Sequence, residues 1–277
     1  MEGCPYRDLH IIELEGIPED PKRYFGNHLL GMWVEEGFSF LFLTTFNSFK
    51  LEQFLKDQAG ISLLDLHVID YDAWQGGLRL SPVKVDKLVF YPYWIKYSPS
   101  DGETEIPFDP GLVFGSGQHP TTRHCLELLL GFSKENRLKS VIDLGTGTGI
   151  LSLAAAALGA THVLAVDTNP LCVETALRNV IRNGWQGQIE VRRIPAQRVR
   201  PDHRVDLIMA NLPPEVIFFL LEDSHFEEVN AWIISGLYRS SFQSAVSLLE
   251  KKGYRIFETR EGESVWYTIL AGLIDNI

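Results

Sequence analysis

Cysteine is scarce in this chain: Cys4, Cys125 and Cys172 are the only three in 277 residues, scattered and without C-x-x-C spacing. That argues against a disulfide framework and a cysteine-based zinc site, suits a reducing compartment, and leaves no metal centre to expect. Long apolar runs are missing too. The longest, Ile150 to Leu158, is too short to span a bilayer, and no basic start leads into an apolar segment of the secretory kind, so the expectation is a soluble, cytoplasmic protein with no membrane partner. Positive charge is in short supply, with 25 Lys+Arg against 36 Asp+Glu, a net charge of −11 and a pI of about 5.2. Such a balance argues against a long electrostatic track on nucleic acid and suits a basic protein substrate. Internal repeats, low-complexity tails and heptad runs are absent. With 45% hydrophobic residues, the chain has enough apolar surface for one large domain and one small one.

The chain is organised around Val141-Ile142-Asp143-Leu144-Gly145-Thr146-Gly147-Thr148-Gly149-Ile150. Apolar residues suited to a buried strand give way to alternating glycines, and an alanine-rich helix follows to Leu158 with Gly159 where a cap belongs. This strand, turn and helix is expected to point backbone N–H groups into a crevice. A further apolar run, His162 to Val166, ends in Asp167, twenty-two positions beyond Gly145, the spacing of an acid that grips a ribose diol. The glycines read D-x-G-x-G-x-G rather than G-x-G-x-x-G, and no lysine follows as in a P-loop. A ligand with a ribose and no phosphates fits best, and S-adenosylmethionine is the common one.

Upstream, strand-like and helix-like runs alternate: Leu9 to Leu14, Pro21 to Gly31, Phe38 to Phe46, Phe49 to Gly60 and Leu64 to Ile69. They predict a small α+β domain over 1–72 without paired acids, histidine clusters or cysteine pairs, and so a recognition or packing module. The run Phe38 to Leu43 is too uniformly apolar to assign a face. Residues 73–100 read as a connector, with one or two strands between Val83 and Trp94 and a turn at Ser98 to Glu103. The stretch Phe108 to Arg123 is glycine-rich loop leading into a helix with body His124 to Leu130, and its threonines invite a cap or a ligand contact. His119 is either a loop histidine or a catalytic one.

The run Asp109 to Thr122, the turn Asp143 to Gly149, Asp167, Asn211 and Ile234-Ser235-Gly236-Leu237 together resemble the methyltransferases of large-subunit ribosomal protein eleven. These are class I S-adenosylmethionine enzymes that methylate lysine and terminal amino groups. The resemblance runs from about Trp74 onward, and residues 1–70 match mainly by size and position. It implies a Rossmann-like α/β domain over 101–277 with a mostly parallel seven-stranded sheet whose last strand is antiparallel. It also implies a protein substrate, a ribosomal one. It implies cofactor contacts at Thr122, Gly145, Asp167 and Asn211, and the further candidate contacts are Phe114, Asp143, Thr146, Gly147, Gly149, Thr168 and Gln197. Gln197 follows the strand Ile189 to Ile194, where an adenine edge would be read, and a solvated loop residue is the other reading.

For the chemical step, the candidates are Asn211 and Leu212 of Asn211-Leu212-Pro213-Pro214, delivered by the strand Asp206 to Ala210. Methyl transfer is an in-line displacement that needs a neutral nitrogen lone pair about 3 Å from the methyl carbon. An Asn carbonyl and a backbone C=O can accept the amine's N–H bonds and aim that lone pair, while the prolines fix the backbone without adding donors. The family pattern is usually Asn-Ile-Leu-Ala, so Asn-Leu-Pro-Pro leaves the acceptor open among a ribosomal protein, another protein and a small amine. A non-catalytic cofactor-binding homologue or a nucleotide oxidoreductase are the readings from other classes. Asn211 argues against the first and the missing G-x-x-G spacing against the second. A monomer is expected.

Overall fold

Residues 3–77, 79–201, 204–227 and 229–273 are described by the structure, a computed structural model. In chain order they form β1 (Asp8–Glu15), α1 (Lys22–Phe25), β2 (Leu29–Glu35), β3 (Phe38–Leu43), α2 (Ser48–Asp57), β4 (Ser62–Asp70), α3 (Tyr71–Trp74), β5 (Val83–Val85), β6 (Leu88–Pro92), β7 (Thr104–Phe108), α4 (Pro120–Glu135), β8 (Ser140–Leu144), α5 (Ile150–Ala157), β9 (His162–Asp167), α6 (Pro170–Arg182), β10 (Ile189–Arg193), β11 (Val205–Asn211), α7 (Pro214–Glu222), β12 (Val229–Tyr238), α8 (Arg239–Lys251), β13 (Tyr254–Gly262) and β14 (Trp266–Leu273). Contacts divide them into two units, one of 1–80, 94–96 and 169–171, the other of 81–93, 97–168 and 172–277. No described helix is long and apolar enough to cross a membrane.

The first unit is an antiparallel sheet in the order β2-β3-β1-β4. Ile12 and Leu14 of β1 and Leu41 and Leu43 of β3 share one face and pack against Phe25, Leu51 and Phe54. Each such fully buried side chain contributes roughly 1.5–3 kcal/mol. Asn47 caps α2 by accepting the Phe49 N–H at 2.9 Å. The uniformly apolar Phe38–Leu43 run divides after all: Phe42 turns to the opposite face, edge-on to Trp74 at 5.1 Å. The helix expected over Pro21 to Gly31 stops early. Gly26 takes φ +56°, and Leu29–Glu35 is a half-buried edge strand whose Leu-Leu-Gly-Met-Trp-Val sequence carries no period of two.

The second unit holds a seven-stranded sheet in the order β10-β9-β8-β11-β12-β14-β13. β10 through β12 run parallel, and β14 is antiparallel to both neighbours, as the resemblance implied. Consecutive residues feed opposite faces. Val141, Leu207, Met209 and Ile233 go to the core under α4 and α5, while Ile142, Ile208, Ala210 and Ile234 go to the core under α7 and α8. Helices on both faces of a parallel sheet account for its near-continuous apolar strands. A three-stranded sheet, β5-β6-β7, adds Val83, Phe90, Ile106 and Phe108 to the first of those cores. β7 was not expected, since 104–107 is a short unassigned stretch between a turn and a glycine-rich loop; it lies at that sheet's edge, where the N–H that Pro107 lacks breaks no ladder.

Candidate active site

The strand registers set the candidate residues in a row. Leu144 on β8 lies beside Val166 on β9 and, on its other side, beside Ala210 on β11. The next residues along the carboxyl rim are therefore Gly145, Asp167 and Asn211, and Asn211 is in turn opposite Ser235 of β12, one residue before Gly236. β9 and β10 extend the sheet on one side of β8 and β11 and β12 on the other, so the row straddles the switch point where crevices open in such folds.

The glycine turn does not present free N–H groups. Gly145 and Thr146 both donate to Val166 O at 2.9 Å, Thr148 donates to Phe114 O at 3.1 Å and Gly149 to Thr146 O at 2.8 Å. Gly147 N–H goes to Asp167 Oδ2 at 3.1 Å. These five donors close a tight reversal, and each is satisfied inside the protein. What the glycines supply instead is close approach. Gly147 has φ +54°, and a Cβ there would collide with the Phe114 carbonyl oxygen; a Cβ on Gly145, φ +75°, would run into Leu212 Cδ2. Beneath the turn, Asp143 is buried, and its Oδ2 accepts the hydroxyls of Thr146 and Ser152, both at 2.7 Å. Burial pushes its carboxyl up to about 6, against the two hydroxyls that favour the anion.

Asn179 fastens the preceding loop to this turn. Its Oδ1 accepts Asp109 N–H at 2.6 Å, and its Nδ2 donates to Asp109 O and Thr148 O, both at 2.8 Å. The threonines at the start of α4 do not cap it. His119 is the cap, with Pro120 in the first turn, and its Nδ1 accepts Thr121 N–H at 3.3 Å. Thr121 and Thr122 are buried instead, and Thr122 Oγ1 has no hydrogen-bond partner among the described residues.

A cavity of about 440 Å³ opens beside this row, and it separates the candidates. Phe114, Asn211 and Leu212 line it. Thr122, Asp143, Gly145, Thr146, Gly147, Gly149 and Asp167 lie outside its lining, as do exposed Thr168, whose carbonyl takes Arg193 Nε at 3.2 Å, and Gln197, on the short turn Ala196–Arg198 after β10. Thr121, one of the two threonines read as a cap or a ligand contact, also lines the cavity; sequence reasoning missed Glu215, Tyr238 and Trp266 of the same wall, and Asn179, which pins the loop. Tyr238 and Trp266 face each other across β12 and β14 at 4.8 Å, and His119 sits 5.4 Å from Trp266 and 5.2 Å from Phe114. Burial among these rings lowers the His119 pKa, while Glu263 opposes the shift. Asn211 Nδ2 donates to Thr121 Oγ1 at 3.2 Å. Leu212 is held from behind, its N–H on Ser235 O at 3.3 Å and its carbonyl against the Gly236 Cα, where a Cβ would not fit. No donor among the described residues reaches that carbonyl.

Residues 47–272 match the family model described as ribosomal protein L11 methyltransferase (PrmA). A ribosomal protein L11 methyltransferase of Clostridium perfringens is 36% identical over 196 residues, covering 69% of this chain and 61% of the relative, so the aligned stretch is less than two thirds of that relative's length. One from Heliobacterium modesticaldum is 33% identical over 269 residues, 95% of this chain and 82% of the relative. Among solved structures, a ribosomal protein L11 methylase from Lactobacillus delbrueckii subsp. bulgaricus superposes with a TM-score of 0.59 at 27% identity, covering 69% of this chain and 98% of that one. The glycine turn, the acid that ends β9 and the asparagine that ends β11 all lie within the matched span, and the chain belongs to the ribosomal protein L11 methyltransferase (PrmA) family.

Proposed function

We propose that this chain transfers methyl groups from S-adenosylmethionine to lysine or terminal amino groups of a large-subunit ribosomal protein. The observation that carries the reading is the row Gly145, Asp167, Asn211 on one sheet rim, with the cavity opening at its Asn211 end. The residues present fit the cofactor. Asp167 is a carboxylate for the ribose diol, Gly147 leaves no room for a side chain against the Phe114 loop, and the buried, unpartnered hydroxyl of Thr122 needs a polar group that the described residues do not provide. Because the turn's N–H groups are already used, its carbonyls, rather than its donors, suit the cationic amino end of the ligand.

Bound S-adenosylmethionine supplies an electrophilic sulfonium methyl. The chain's own contribution is to hold an amine on the in-line path: Asn211 Oδ1 and the Leu212 carbonyl accept two N–H bonds, leaving the lone pair aimed at the methyl carbon. Pro213 and Pro214 add no competing N–H and fix the carbonyl's direction. The amine arrives deprotonated, since a lysine of pKa near about 10.4 is almost wholly cationic and non-nucleophilic at neutral pH. The rings of Phe114, Tyr238 and Trp266 favour that loss once the acceptor covers them, because the amine then sits against apolar surface rather than water. We read residues 1–72 as the acceptor-recognition module, 73–100 as its connector and 101–277 as the catalytic part; a net charge of −11 suits a basic acceptor.

Incubating the purified chain with tritiated S-adenosylmethionine and bacterial ribosomal protein L11 tests this directly. Label on L11 is expected, and Asn211→Ala should slow single-turnover transfer about a hundredfold with cofactor affinity nearly unchanged. No label on L11 would refute the acceptor, and a parental rate for Asn211→Ala would refute the role of Asn211.

A further inference from the structure

An asparagine amide can meet an amine in two ways, for its ends are alike in shape and opposite in chemistry: Oδ1 accepts a hydrogen bond and Nδ2 donates. Only Oδ1 facing the amine leaves the lone pair free. The side chains behind Asn211 select between the two. Asn211 Nδ2 lies 3.2 Å from Thr121 Oγ1, Thr121 Oγ1 lies 2.8 Å from His119 Nδ1, and that same Nδ1 accepts Thr121 N–H at 3.3 Å. A ring nitrogen that accepts a backbone N–H carries no proton of its own, so His119 is protonated on Nε2 and the Thr121 hydroxyl points at Nδ1. With its one proton committed, Thr121 can only accept from Asn211. Among the described residues nothing else hydrogen-bonds the Asn211 side chain.

We propose that His119 and Thr121 are positioning residues that keep the Asn211 amide with Oδ1 toward the acceptor amine, and that protonating His119 reverses the chain and turns the amide over. The proposal rests on Asn211 being the group that orients the amine. An imidazolium would donate from Nδ1 to one lone pair of Thr121 Oγ1 and release the hydroxyl proton, which in this proposal turns toward Asn211, where Oδ1 is the side-chain atom that can receive it. Nδ2 would then face the cavity and compete for the lone pair. The charged and titratable groups around His119 are Glu263 in the β13–β14 turn, which favours its cationic form, and Glu215 at the start of α7 and Tyr238 at the end of β12, which line the same cavity. Phe114 and Trp266, the rings packed on it, carry no charge and disfavour the cation by desolvation.

The test is single-turnover transfer from tritiated S-adenosylmethionine to ribosomal protein L11 by the full chain, followed across the acid and alkaline sides of neutrality, with affinity for S-adenosylhomocysteine as the control for folding. Thr121→Val should lower the rate about tenfold or more without changing that affinity, and Thr121→Ser should restore most of it. In the parent, log rate should climb with pH at a slope of one where only the acceptor titrates, and at a slope of two below the His119 pKa. His119→Asn, whose Oδ1 replaces Nδ1 as a permanent acceptor, should keep a slope of one throughout. A parental rate for Thr121→Val, or a parent profile with no break, alongside a slow Asn211→Ala, overturns the proposal and leaves the role of Asn211 standing. If Asn211→Ala itself runs at the parental rate, both fall.

Discussion

Gly147→Ala tests the glycine turn at its tightest point. Two costs can be worked out from the geometry. An alanine held at φ +54° pays roughly 1–2 kcal/mol for the left-handed backbone. Its methyl also lands on the carbonyl oxygen of Phe114, which is backbone rather than a movable side-chain tip, so the loop must retreat. Retreat breaks the 3.1 Å bond from Thr148 N–H to that oxygen, worth about 0.5–1.5 kcal/mol. The total is about 1.5–3.5 kcal/mol, or a fall in Tm of roughly 3–14 °C for a protein of this size. Gly145→Ala is the internal comparison. It pays a similar backbone cost at φ +75°, but its methyl meets the end of the Leu212 side chain, which can rotate away, so it should lose about 1 kcal/mol less. Thermal unfolding of both variants by circular dichroism supplies the measurement. If Gly147→Ala is as stable as the parent, or more stable than Gly145→Ala, then the Phe114 carbonyl does not constrain the turn.

Asp167→Ala should weaken S-adenosylmethionine binding by about 1–3 kcal/mol in calorimetry, through loss of charge-assisted hydrogen bonds and release of the Gly147 N–H; an unchanged Kd would remove Asp167 from the site. Asp143 carries a pH dependence of stability. Its carboxyl sits at about 6 in the folded chain, above its unfolded value, so folding takes up a proton. The resulting stability is full below about pH 4 and is lost as the pH rises through about 6, a change of roughly 3 kcal/mol. Asp143→Asn has no such titration, so urea unfolding should show the parent's stability falling relative to the variant's across that window, and a constant difference would contradict the burial argument.

The central strands and the three residues on their rim were legible because parallel strands buried on both faces are written as continuous apolar runs. The turn chemistry that ends each run marks a position that register then aligns. What the turn does with its hydrogen bonds was not legible. Alternating glycines announce unusual backbone, but whether the N–H groups face a ligand or Val166 O depends on where β9 lies. The cap of α4 was not found for a related reason: histidine is not among the residues favoured at that position, and it caps here because Nδ1 can reach Thr121. Tyr238 and Trp266 meet only through the pairing of β12 with β14, so no local spacing could have joined them. β2 was missed because its sequence has no period of two and begins inside a run that read as helical, and β7 because five residues between a turn and a glycine-rich loop carry too little pattern until β6 is placed beside them.

The reversal of β14 determines where this site can vary. In a wholly parallel sheet the connections that enter the strands lie on the rim away from the chemistry, and changes there are silent. Here β13 ends and β14 begins on the same side as Asn211, with Gly262 opposite Trp266 and Trp266 opposite Tyr238. Their link is a tight turn, Glu263 and Ser264, both at positive φ and closed by Val265 N–H on Gly262 O at 3.1 Å. Substitutions or insertions in those two residues therefore bear on the Tyr238 and Trp266 side of the cavity, the acceptor side of the proposed reaction, without touching Gly145, Gly147 or Asp167. A new amine specificity could be acquired there while the cofactor half of the crevice is inherited intact.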